Sequence, residues 1–351
     1  ATIAAAPKTG YDFSGWSGLG TSDSISSYAL VFMTKDHNIT ANFQLKTYPL
    51  TVIAETGGTV SGSGTFEHGN EANVTATPII GQHFTGWSGT GISNATKANA
   101  TVSMTKARNI TAHFAINQYN LAVSFEPGGS AIGSGTFEHG TQATITAGAE
   151  TGYSFAGWTV GATDVNAITT TVDMTEDRNV SATFAINQHV LSISTGTGGN
   201  TTGSGTYDYN SNVNISAIPA VGYDFTSWTG SGVNDPVNAN TTVSMTLDRN
   251  ISATFVLKNH LLTVTAGTGG STTGSGSFPY GTDANITATP AVGHNFTNWI
   301  GSDVSDSNSS ETTVSITQNQ NISAIFSPKS FALQVSSSSG GSAYGDGNYS
   351  Y

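Results

Sequence analysis

The sequence predicts an all-β protein made of tandem copies of one small unit. Five tryptophans, at 16, 87, 158, 228 and 299, are separated by 71, 71, 70 and 71 residues. Side chains near them alternate between apolar and polar with a period of two, as in Ile39, Ala41 and Phe43. No segment carries the i, i+3, i+4, i+7 apolar stripe of an amphipathic helix over a useful length. A fixed period combined with strand alternation indicates a repeat protein built from strands.

Composition agrees with this prediction and excludes other classes. The 351 residues include 42 glycines, no cysteine and 9% charged residues, whereas ordinary domains carry about a quarter. Ser, Thr, Asn and Gly supply the polarity, which suits turns and exposed strand faces. A net charge of −12 argues against nucleic-acid binding. No apolar run approaches the roughly 20 residues that span a bilayer, so no membrane span is expected in this segment.

The elements follow one order within each repeat. A first strand, such as residues 50–52, leads to glycine turns at Gly57-Gly58 and Gly62-Ser63-Gly64. Next come the strand at 74–76, a Gly-x-x-Phe-x-x-Trp pattern, a strand with Met104 and a last strand Asn-Ile-Thr-Ala-x-Phe. We expect five or six short strands, with Phe and Trp in a small core. This core signature comprises Phe13, Trp16, Phe84, Trp87, Phe155, Trp158, Phe225, Trp228, Phe296 and Trp299.

We place complete repeats at residues 47–117, 118–187, 188–258 and 259–329. Residues 1–46 then form the C-terminal part of a repeat, and residues 330–351 form the N-terminal part of one. A β unit of about 70 residues is marginal alone, so neighbours should dock. The connector at 44–47 is too short and too apolar for a flexible tether. We therefore expect a semi-rigid rod.

The two part-repeats complement each other, since 46 and 22 residues make 68 of the 71 in a repeat. One hypothesis is that the C-terminal piece of one subunit completes the N-terminal piece of the next. Such head-to-tail contact builds an open filament unless rotation closes it. A piece cut from a longer periodic array and an intramolecular ring are the alternatives, and all three stay open.

The repeat resembles a known family. The run Leu262–Gly270, the Gly274-Ser-Gly-Ser-Phe segment and the run Ala288–Trp299 are similar to the divergent internalin B-type B-repeat. The resemblance recurs in every copy and covers essentially the whole chain. It implies a bacterial cell-surface or secreted protein whose repeats act as stalks, spacers or adhesive modules. It also implies a β-grasp-like unit, beside which a β-sandwich-like unit is kept as the alternative.

Fifteen Asn-x-Ser/Thr sequons are candidates for glycosylation, and one recurs in all five copies at the start of the last strand. The alternative is structural, because Asn suits a turn and Thr or Ser suits a strand. A glycan coat would block lateral association of sparsely charged β faces. The candidates are Asn38, Asn73, Asn94, Asn99, Asn109, Asn179, Asn200, Asn214, Asn240, Asn250, Asn285, Asn295, Asn308, Asn321 and Asn348.

Three further patterns are given structural interpretations. The pairs Glu67-His68 and Glu138-His139 lack further ligands nearby, so we assign them to solvated turns. The Gly-x-Gly triplets precede no helix, so they are turns or bulges and not phosphate sites. The residues two before the core Phe could stack on sugars if exposed, but they vary among the copies. They are Tyr11, Gln82, Tyr153, Tyr223 and His294.

No catalytic, cofactor-binding or metal site is predicted, and the chain is not expected to be an enzyme. We expect an extracellular or cell-surface structural protein, a subunit or segment of a fibre or adhesin stalk. Its expected partners are further copies of itself and covalent glycans. The alternative is a module that binds polysaccharide or a host ligand. The spacer hypothesis is favoured because the loops at 17–30, 88–101, 159–171, 229–242 and 300–313 differ in every copy.

Overall fold

The computed structural model describes residues 1–18, 20, 22 and 24–351, so three residues of the loop at 17–30 lie outside it. Every regular element of the described part is a strand, which confirms the all-β prediction. By internal contact the chain divides into two units, Ala1–Ala185 and Ile186–Tyr351. Each is described by itself.

The first unit holds the part-repeat of residues 1–46, the repeat 47–117 and all but the last two residues of the repeat 118–187. The part-repeat contains β1 (Thr2–Ala4), β2 (Tyr11–Ser17), β3 (Tyr28–Leu30) and β4 (Thr40–Leu45). The repeat 47–117 contains β5 (Thr47–Ala54), β6 (Gly58–Ser61), β7 (Gly64–Glu67), β8 (Glu71–Pro78), β9 (Gln82–Gly89), β10 (Asn99–Ser103) and β11 (Arg108–Ile116). The next contains β12 (Gln118–Phe125), β13 (Gly129–Ile132), β14 (Gly135–Glu138), β15 (Gln142–Ala149), β16 (Tyr153–Trp158), β17 (Thr169–Asp173) and β18 (Arg178–Ile186).

The second unit holds two complete repeats and the part-repeat of residues 330–351. The repeat 188–258 contains β19 (Gln188–Thr195), β20 (Gly199–Thr202), β21 (Gly205–Asp208), β22 (Ser211–Pro219), β23 (Tyr223–Thr229), β24 (Asn240–Met245) and β25 (Arg249–Leu257). The next contains β26 (Asn259–Ala266), β27 (Gly270–Thr273), β28 (Gly276–Pro279), β29 (Asp283–Pro290), β30 (His294–Ile300), β31 (Glu311–Ser315) and β32 (Gln320–Pro328). The part-repeat contains β33 (Ser330–Leu333) and β34 (Gly347–Ser350).

Each complete repeat has seven strands in two sheets, more than the five or six predicted. In the repeat 47–117 the four-stranded sheet runs β7-β5-β11-β9 and the three-stranded sheet runs β10-β8-β6. The first strand, β5, and the last, β11, pair in parallel from Leu50–Arg108 to Ala54–Ala112. Their neighbours are antiparallel. The other complete repeats have the same strand orders.

The two sheets enclose one hydrophobic core, so each complete repeat is a small β-sandwich. In the repeat 47–117 the core takes Leu50 from β5, Val74 from β8 and Ile110 from β11. Met104, which follows β10, is fully buried. Full burial of one such side chain contributes roughly 1.5–3 kcal/mol. The β-grasp-like alternative requires a helix on the sheet, and the described residues form none.

Strand alternation decides which side chains enter the core. In β8, Ala72, Val74 and Ala76 are buried, while Glu71 and Asn73 are exposed. Successive residues of a strand point to opposite faces, which is why a period of two in the sequence becomes one apolar face. Among the described residues, no helix is long and apolar enough to cross a membrane.

The part-repeats have fewer sheet partners. Among the described residues of 1–46, β1 pairs only with β3, and β2 only with β4. In residues 330–351, β33 pairs only with β34. Met33 is 62% exposed, whereas its counterpart Met104 is 0% exposed. Leu333 is 51% exposed, whereas its counterpart Leu262 is 0% exposed.

Candidate functional site

Among the described residues, no three His, Cys, Asp or Glu side chains are grouped as metal ligands. Two cavities of the described part, of about 300 and 610 Å³, are open surface grooves. One of them is lined by strand residues such as Thr202, Asn214 and Asn240. The recurring structural feature is instead the junction between repeats.

A single residue joins the last strand of one repeat to the first strand of the next. Asn117 separates β11 from β12, so the connector is shorter than the four residues read from the sequence. The Asn117 N–H donates to the Gly81 carbonyl of its own repeat at 2.8 Å, and the Asn117 carbonyl accepts from the His139 N–H of the next repeat at 2.8 Å. Both backbone groups of the connector are therefore fixed.

The same pair of backbone bonds recurs at other junctions within each unit. Lys46, Lys258 and Lys329 each donate an N–H to a glycine carbonyl of the preceding repeat, at 2.8 Å. Each also accepts at its carbonyl from an N–H of the following segment, at 2.7 to 2.9 Å. The glycines are Gly10, Gly222 and Gly293, and the N–H donors are His68, Tyr280 and Tyr351.

A ring covers each of these glycines. A Cβ placed on Gly81 would lie 2.0 Å from His139 Cδ2, and one on Gly222 would lie 2.3 Å from Tyr280 Cδ1. Only a residue without a side chain allows this approach. The assignment of His68 and His139 to solvated turns was wrong, because both rings are half-buried against the preceding repeat. Sequence separation hid the contact, since about 58 residues lie between glycine and ring.

Side chains add weaker contacts at the junctions. Lys46 Nζ lies 3.3 Å from Asp12 Oδ1, and Lys258 Nζ lies 3.1 Å from Asp224 Oδ1. Asn117 Oδ1 lies 2.9 Å from His83 Nδ1. These groups are solvent-exposed, so each pair contributes about 0–1 kcal/mol. The backbone bonds and the covered glycine therefore hold the junction.

The Gly-Ser-Gly triplet is a structural device. Ser63 Oγ accepts the Val52 N–H at 2.9 Å, and Ser134, Ser204 and Ser275 accept the equivalent N–H in their repeats. A Cβ on Gly62 would lie 2.4 Å from the Asn73 carbonyl oxygen. The triplet thus lets the chain bend close to β8, while its serine hydroxyl accepts a backbone N–H of the first strand. This placement matches the turn or bulge assignment.

The core-signature tryptophans hold the variable loops. Trp87 is 5% exposed, and its Nε1–H donates to the Lys97 carbonyl at 2.9 Å. The Trp87 N–H donates to the Ala95 carbonyl at 2.7 Å. The other four tryptophans repeat both bonds. Because only loop carbonyls are used, loop side chains can vary. The core-signature phenylalanines are half-buried. Phe84 and Phe155 contact the tryptophans of their repeats at ring-centroid distances of 5.5 and 5.6 Å, with interplanar angles of 60° and 62°.

An arginine that sequence reasoning missed also closes the loop. Arg108 donates from Nε to the Ser103 carbonyl at 2.6 Å, from Nη1 to Thr90 Oγ1 at 2.9 Å and from Nη2 to Thr105 Oγ1 at 3.2 Å. Arg249 makes the same three bonds. Recurrence of Arg before the Asn-Ile/Val strand was the available signal. Gln320 takes the position in the last complete repeat.

The glycosylation candidates are all exposed. Each of the fifteen sequon asparagines lies on the surface, including the recurring set at 38, 109, 179, 250 and 321. Asn94 Oδ1 accepts from the Thr96 N–H and hydroxyl at 3.0 and 2.9 Å, which caps a turn. Asn240 Oδ1 accepts from Ser216 Oγ at 2.6 Å. The asparagines do not converge on one place, so they form a scattered set of surface positions.

The residues two before the core Phe cover a second set of glycines. Tyr153, Tyr223 and His294 lie against the first glycine of the Gly-Gly turn of their own repeat. These rings are half-buried, as is Gln82, while Tyr11 is 42% exposed. A shared sugar-stacking surface at these positions is therefore not formed. They are packing residues.

Comparisons with known proteins identify the repeat. A sequence-family model described as "Divergent InlB B-repeat domain" matches residues 1–47, 48–118, 119–188, 189–259 and 260–330. This match confirms the resemblance drawn from the sequence. A solved structure, "The Bacillus anthracis TIE protein", aligns with 91% of this chain and 66% of its own, just under two thirds, at 10% identity. The TM-score is 0.34, too low to carry a structural argument. Among curated proteins none matches the chain.

Proposed function

Because the chain belongs to the divergent InlB B-repeat family, we propose that it is a structural repeat protein of the cell surface or extracellular space. Its role is that of a spacer, which keeps the segments at its two ends a fixed distance apart within a stalk or fibre. The observation that carries this proposal is the one-residue junction with both backbone groups bonded. A ligand-binding array does not need such a joint, whereas a spacer does.

The junction contacts explain how a distance could be held. A flexible tether has free backbone groups and many conformations. Here Lys46 and Asn117 have their N–H and carbonyl bonded to opposite sides of the junction. A ring also fills the space over Gly10 or Gly81. Bending at the connector would break two hydrogen bonds and expose the ring, so consecutive repeats within a unit should move together.

The alternative function is a module that binds polysaccharide or a host ligand. It would be favoured by a surface whose chemistry recurs in each repeat. Three of the positions that could have formed one, Tyr153, Tyr223 and His294, are packed on glycines, and the exposed loops differ in every copy. Binding should therefore be tested at the loops. Saturable polysaccharide binding that disappears when residues 88–101 are replaced by a glycine-serine loop would support this alternative over the spacer.

Glycan attachment and self-assembly are finer parts of the proposal. Exposure of all fifteen sequon asparagines supports a sugar coat, which would limit lateral pairing of the sheet edges. Peptides that contain these sequons, released from protein of the native cells, should then lose mass when N-glycans are removed enzymatically. Sequon peptides found at their unmodified mass would remove this part. In the same role, copies would assemble head to tail through the part-repeats.

The spacer proposal is tested by the distance between two spin labels. The chain has no cysteine, so Asn73→Cys and Thr144→Cys label equivalent exposed sites of consecutive repeats. Pulsed electron spin resonance should give one narrow distance distribution. Gly81→Ala, which forces a Cβ onto His139, should broaden it. Gly140→Ala is the matched control, because Gly140 has nearly the same φ and no atom within 4 Å. A broad distribution in the unmodified junction would contradict the spacer role.

A further inference from the structure

One repeat carries three hydrogen-bonded polar side chains on the outer face of its four-stranded sheet. His113 Nε2 lies 2.7 Å from Ser88 Oγ, and His113 Nδ1 lies 2.8 Å from Glu55 Oε2. The three residues are far apart in the sequence, and they belong neither to the core nor to the junctions described above. A hydroxyl, an imidazole and a carboxylate in this order are the groups that nucleophilic acyl transfer uses.

Strand alternation and register bring the three side chains together. Trp87 points into the core, so Ser88, the next residue of β9, faces outward. Ala112 is buried in the same way, so His113 of β11 faces outward. Glu55 directly follows β5, and its N–H donates to the Ala112 carbonyl at 3.1 Å. Because β11 lies between β5 and β9 in the sheet, its imidazole reaches both neighbours.

The two hydrogen-bond partners fix the tautomer of His113. The Glu55 side chain is 52% exposed, and an ionised carboxylate accepts hydrogen bonds and donates none. The neutral imidazole therefore donates its Nδ1–H to Glu55, and its Nε2 lone pair accepts the Ser88 O–H. Nε2 is thus placed to take the hydroxyl proton when the Ser88 oxygen attacks.

We propose that Ser88 is a nucleophile that is acylated by accessible carboxylic esters, with His113 as its general base and Glu55 as the residue that orients His113. The Ser88 oxygen bonds to the carbonyl carbon of the ester while its proton moves to His113 Nε2. The bond between that carbon and the alcohol oxygen then breaks, and the alcohol leaves with the proton from Nε2. Water attacks the acyl-serine in the same way, with His113 again as the base, and releases the carboxylic acid.

The surroundings of Ser88 indicate which esters fit. Ser88 lies opposite Thr111 on β11, and Thr111 lies opposite Ile53 on β5. Ile53 is 47% exposed and shares the outer face with Glu55, because it is two residues before it. The Thr111 methyl and the Ile53 side chain offer a short apolar row beside the nucleophile. Esters of small aliphatic acids are therefore the expected class of substrate.

The other copies lack the full set and provide a control within the same chain. Ser17 is exposed and has the position of Ser88, but its partner is Asn42, whose Nδ2 donates to Ser17 Oγ at 3.0 Å. An amide donor cannot take the hydroxyl proton, so Ser17 is a serine without a base. In the other complete repeats, threonine or isoleucine stands at the positions of both Ser88 and His113.

Peptide mass spectrometry after exposure to p-nitrophenyl acetate tests the proposal. The full chain is incubated with the ester, quenched in acid and digested, and the acetylated residues are located. Acetylation of Ser88 should be at least about tenfold faster than that of Ser17. His113→Gln should lower the rate at Ser88 to the rate at Ser17. The substituted side chain is not in the core, and circular dichroism checks that the variant is folded.

Glu55 acts through His113, so its test observes the imidazole itself. Nitrogen NMR of the labelled chain should show His113 with its hydrogen on Nδ1, and the signal is assigned by its loss in His113→Gln. Glu55→Ala removes the acceptor, so the hydrogen should move to Nε2 and acetylation of Ser88 should fall by about tenfold or more. Glu55→Gln retains an acceptor oxygen and should restore the tautomer and part of the rate.

A gain-of-function variant tests the same geometry in the next repeat. Glu126 has the position of Glu55 there, and its N–H donates to the Ala182 carbonyl at 3.0 Å. Thr159→Ser combined with Thr183→His supplies the other two groups on the same sheet face. The serine introduced at position 159 should be acetylated faster in the double variant than in Thr159→Ser alone.

Two results would overturn the proposal. One is acetylation of Ser88 no faster than that of Ser17. The other is an unchanged rate at Ser88 in His113→Gln, which would show that the imidazole does not act as its base. None of these outcomes alters the spin-label distance between residues 73 and 144, so the spacer proposal stands or fails separately.

Discussion

Residues 1–46 and residues 72–117 are the same part of the repeat in two surroundings. In residues 72–117, Met104 is 0% exposed and the last strand begins at Arg108. In residues 1–46, Met33 is 62% exposed and the last strand begins at Thr40, three residues later than the equivalent position. Val31 is 4% exposed and Val102 is 0% exposed, so part of the core survives in both.

The difference shows what the first three strands contribute. The antiparallel pairs β1–β3 and β2–β4 form without them, because both strands of each pair lie within the same 46 residues. Burial of the methionine and the start of the last strand need the parallel partner that β5 provides in the complete repeat. Antiparallel pairing therefore forms half of the repeat, and the parallel pair of first and last strands completes its core.

The largest expected effect comes from truncating the methionine, because its burial differs most between the two regions. Met104→Ala should destabilise its repeat by about 2–5 kcal/mol, because it leaves a cavity in a full core. Met33→Ala should cost no more than about 0.5 kcal/mol, as for an exposed site. Native-state hydrogen exchange of the amides in β11 and β4 measures each repeat separately, which a tandem array requires. Equal losses would show that Met33 is as well packed in solution as Met104.

The second largest effect measures how much the junction contributes to stability, apart from the core. Gly81 and Gly140 have φ values of +81° and +82°, so alanine at either should cost roughly 1–2 kcal/mol in backbone strain. Gly81→Ala should cost about 1–3 kcal/mol more, because its Cβ overlaps the His139 ring. The stability losses of the two variants are compared by thermal unfolding monitored by hydrogen exchange. A difference near zero would mean that the ring moves aside freely and that the junction contributes little.

A smaller effect concerns the arginine that closes the loop. Arg108→Ala should cost about 1–2 kcal/mol, since three hydrogen bonds are lost. Arg178→Ala in the next repeat should cost less than half of that, because Arg178 Nε is buried without a partner. His37 stands at the same position in the part-repeat. Urea denaturation of the two variants provides the measurement, and the reverse order of stability would refute the role given to Arg108.

The smallest effect tests the donor and acceptor pair. Asp177→Ala should cost about 1 kcal/mol, because the Asn120 N–H loses its acceptor at 2.7 Å. Ala107→Asp should change stability by less than about 0.5 kcal/mol, since Pro49 offers no N–H. Exchange rates of the Asn120 amide should rise in the first variant. Stabilisation by Ala107→Asp would show that the carboxylate acts through another contact.

Much of the fold could be predicted from the sequence because it depends on short-range pattern. The spacing of the tryptophans gave the repeat, and alternation in segments such as 72–76 gave the buried face of β8. The predicted number of strands was too low because β6 and β7 have only four residues each and lie beside glycine turns. Strands this short carry too few side chains to show a period.

The structural site was less predictable than the fold. Its contacts join residues far apart in sequence, as when His139 covers Gly81 and the Asn120 N–H reaches Asp177. Nothing in the local pattern of Glu138-His139 marks the ring as packed. Comparison of the copies could have given a hint, because Tyr replaces His at 209, 280 and 351 and both are flat rings.

The sequence by itself determined the repeat, its all-β character and the side chains that face inward, since periodicity and residue volume act along one strand. Only the tertiary structure decided that first and last strands pair in parallel. It also decided that, at the junctions within each unit, one residue joins neighbours with both backbone groups bonded and a ring covers the glycine. The reason is that these contacts are set where distant strands meet, and a parallel partner fixes burial that no local pattern can specify.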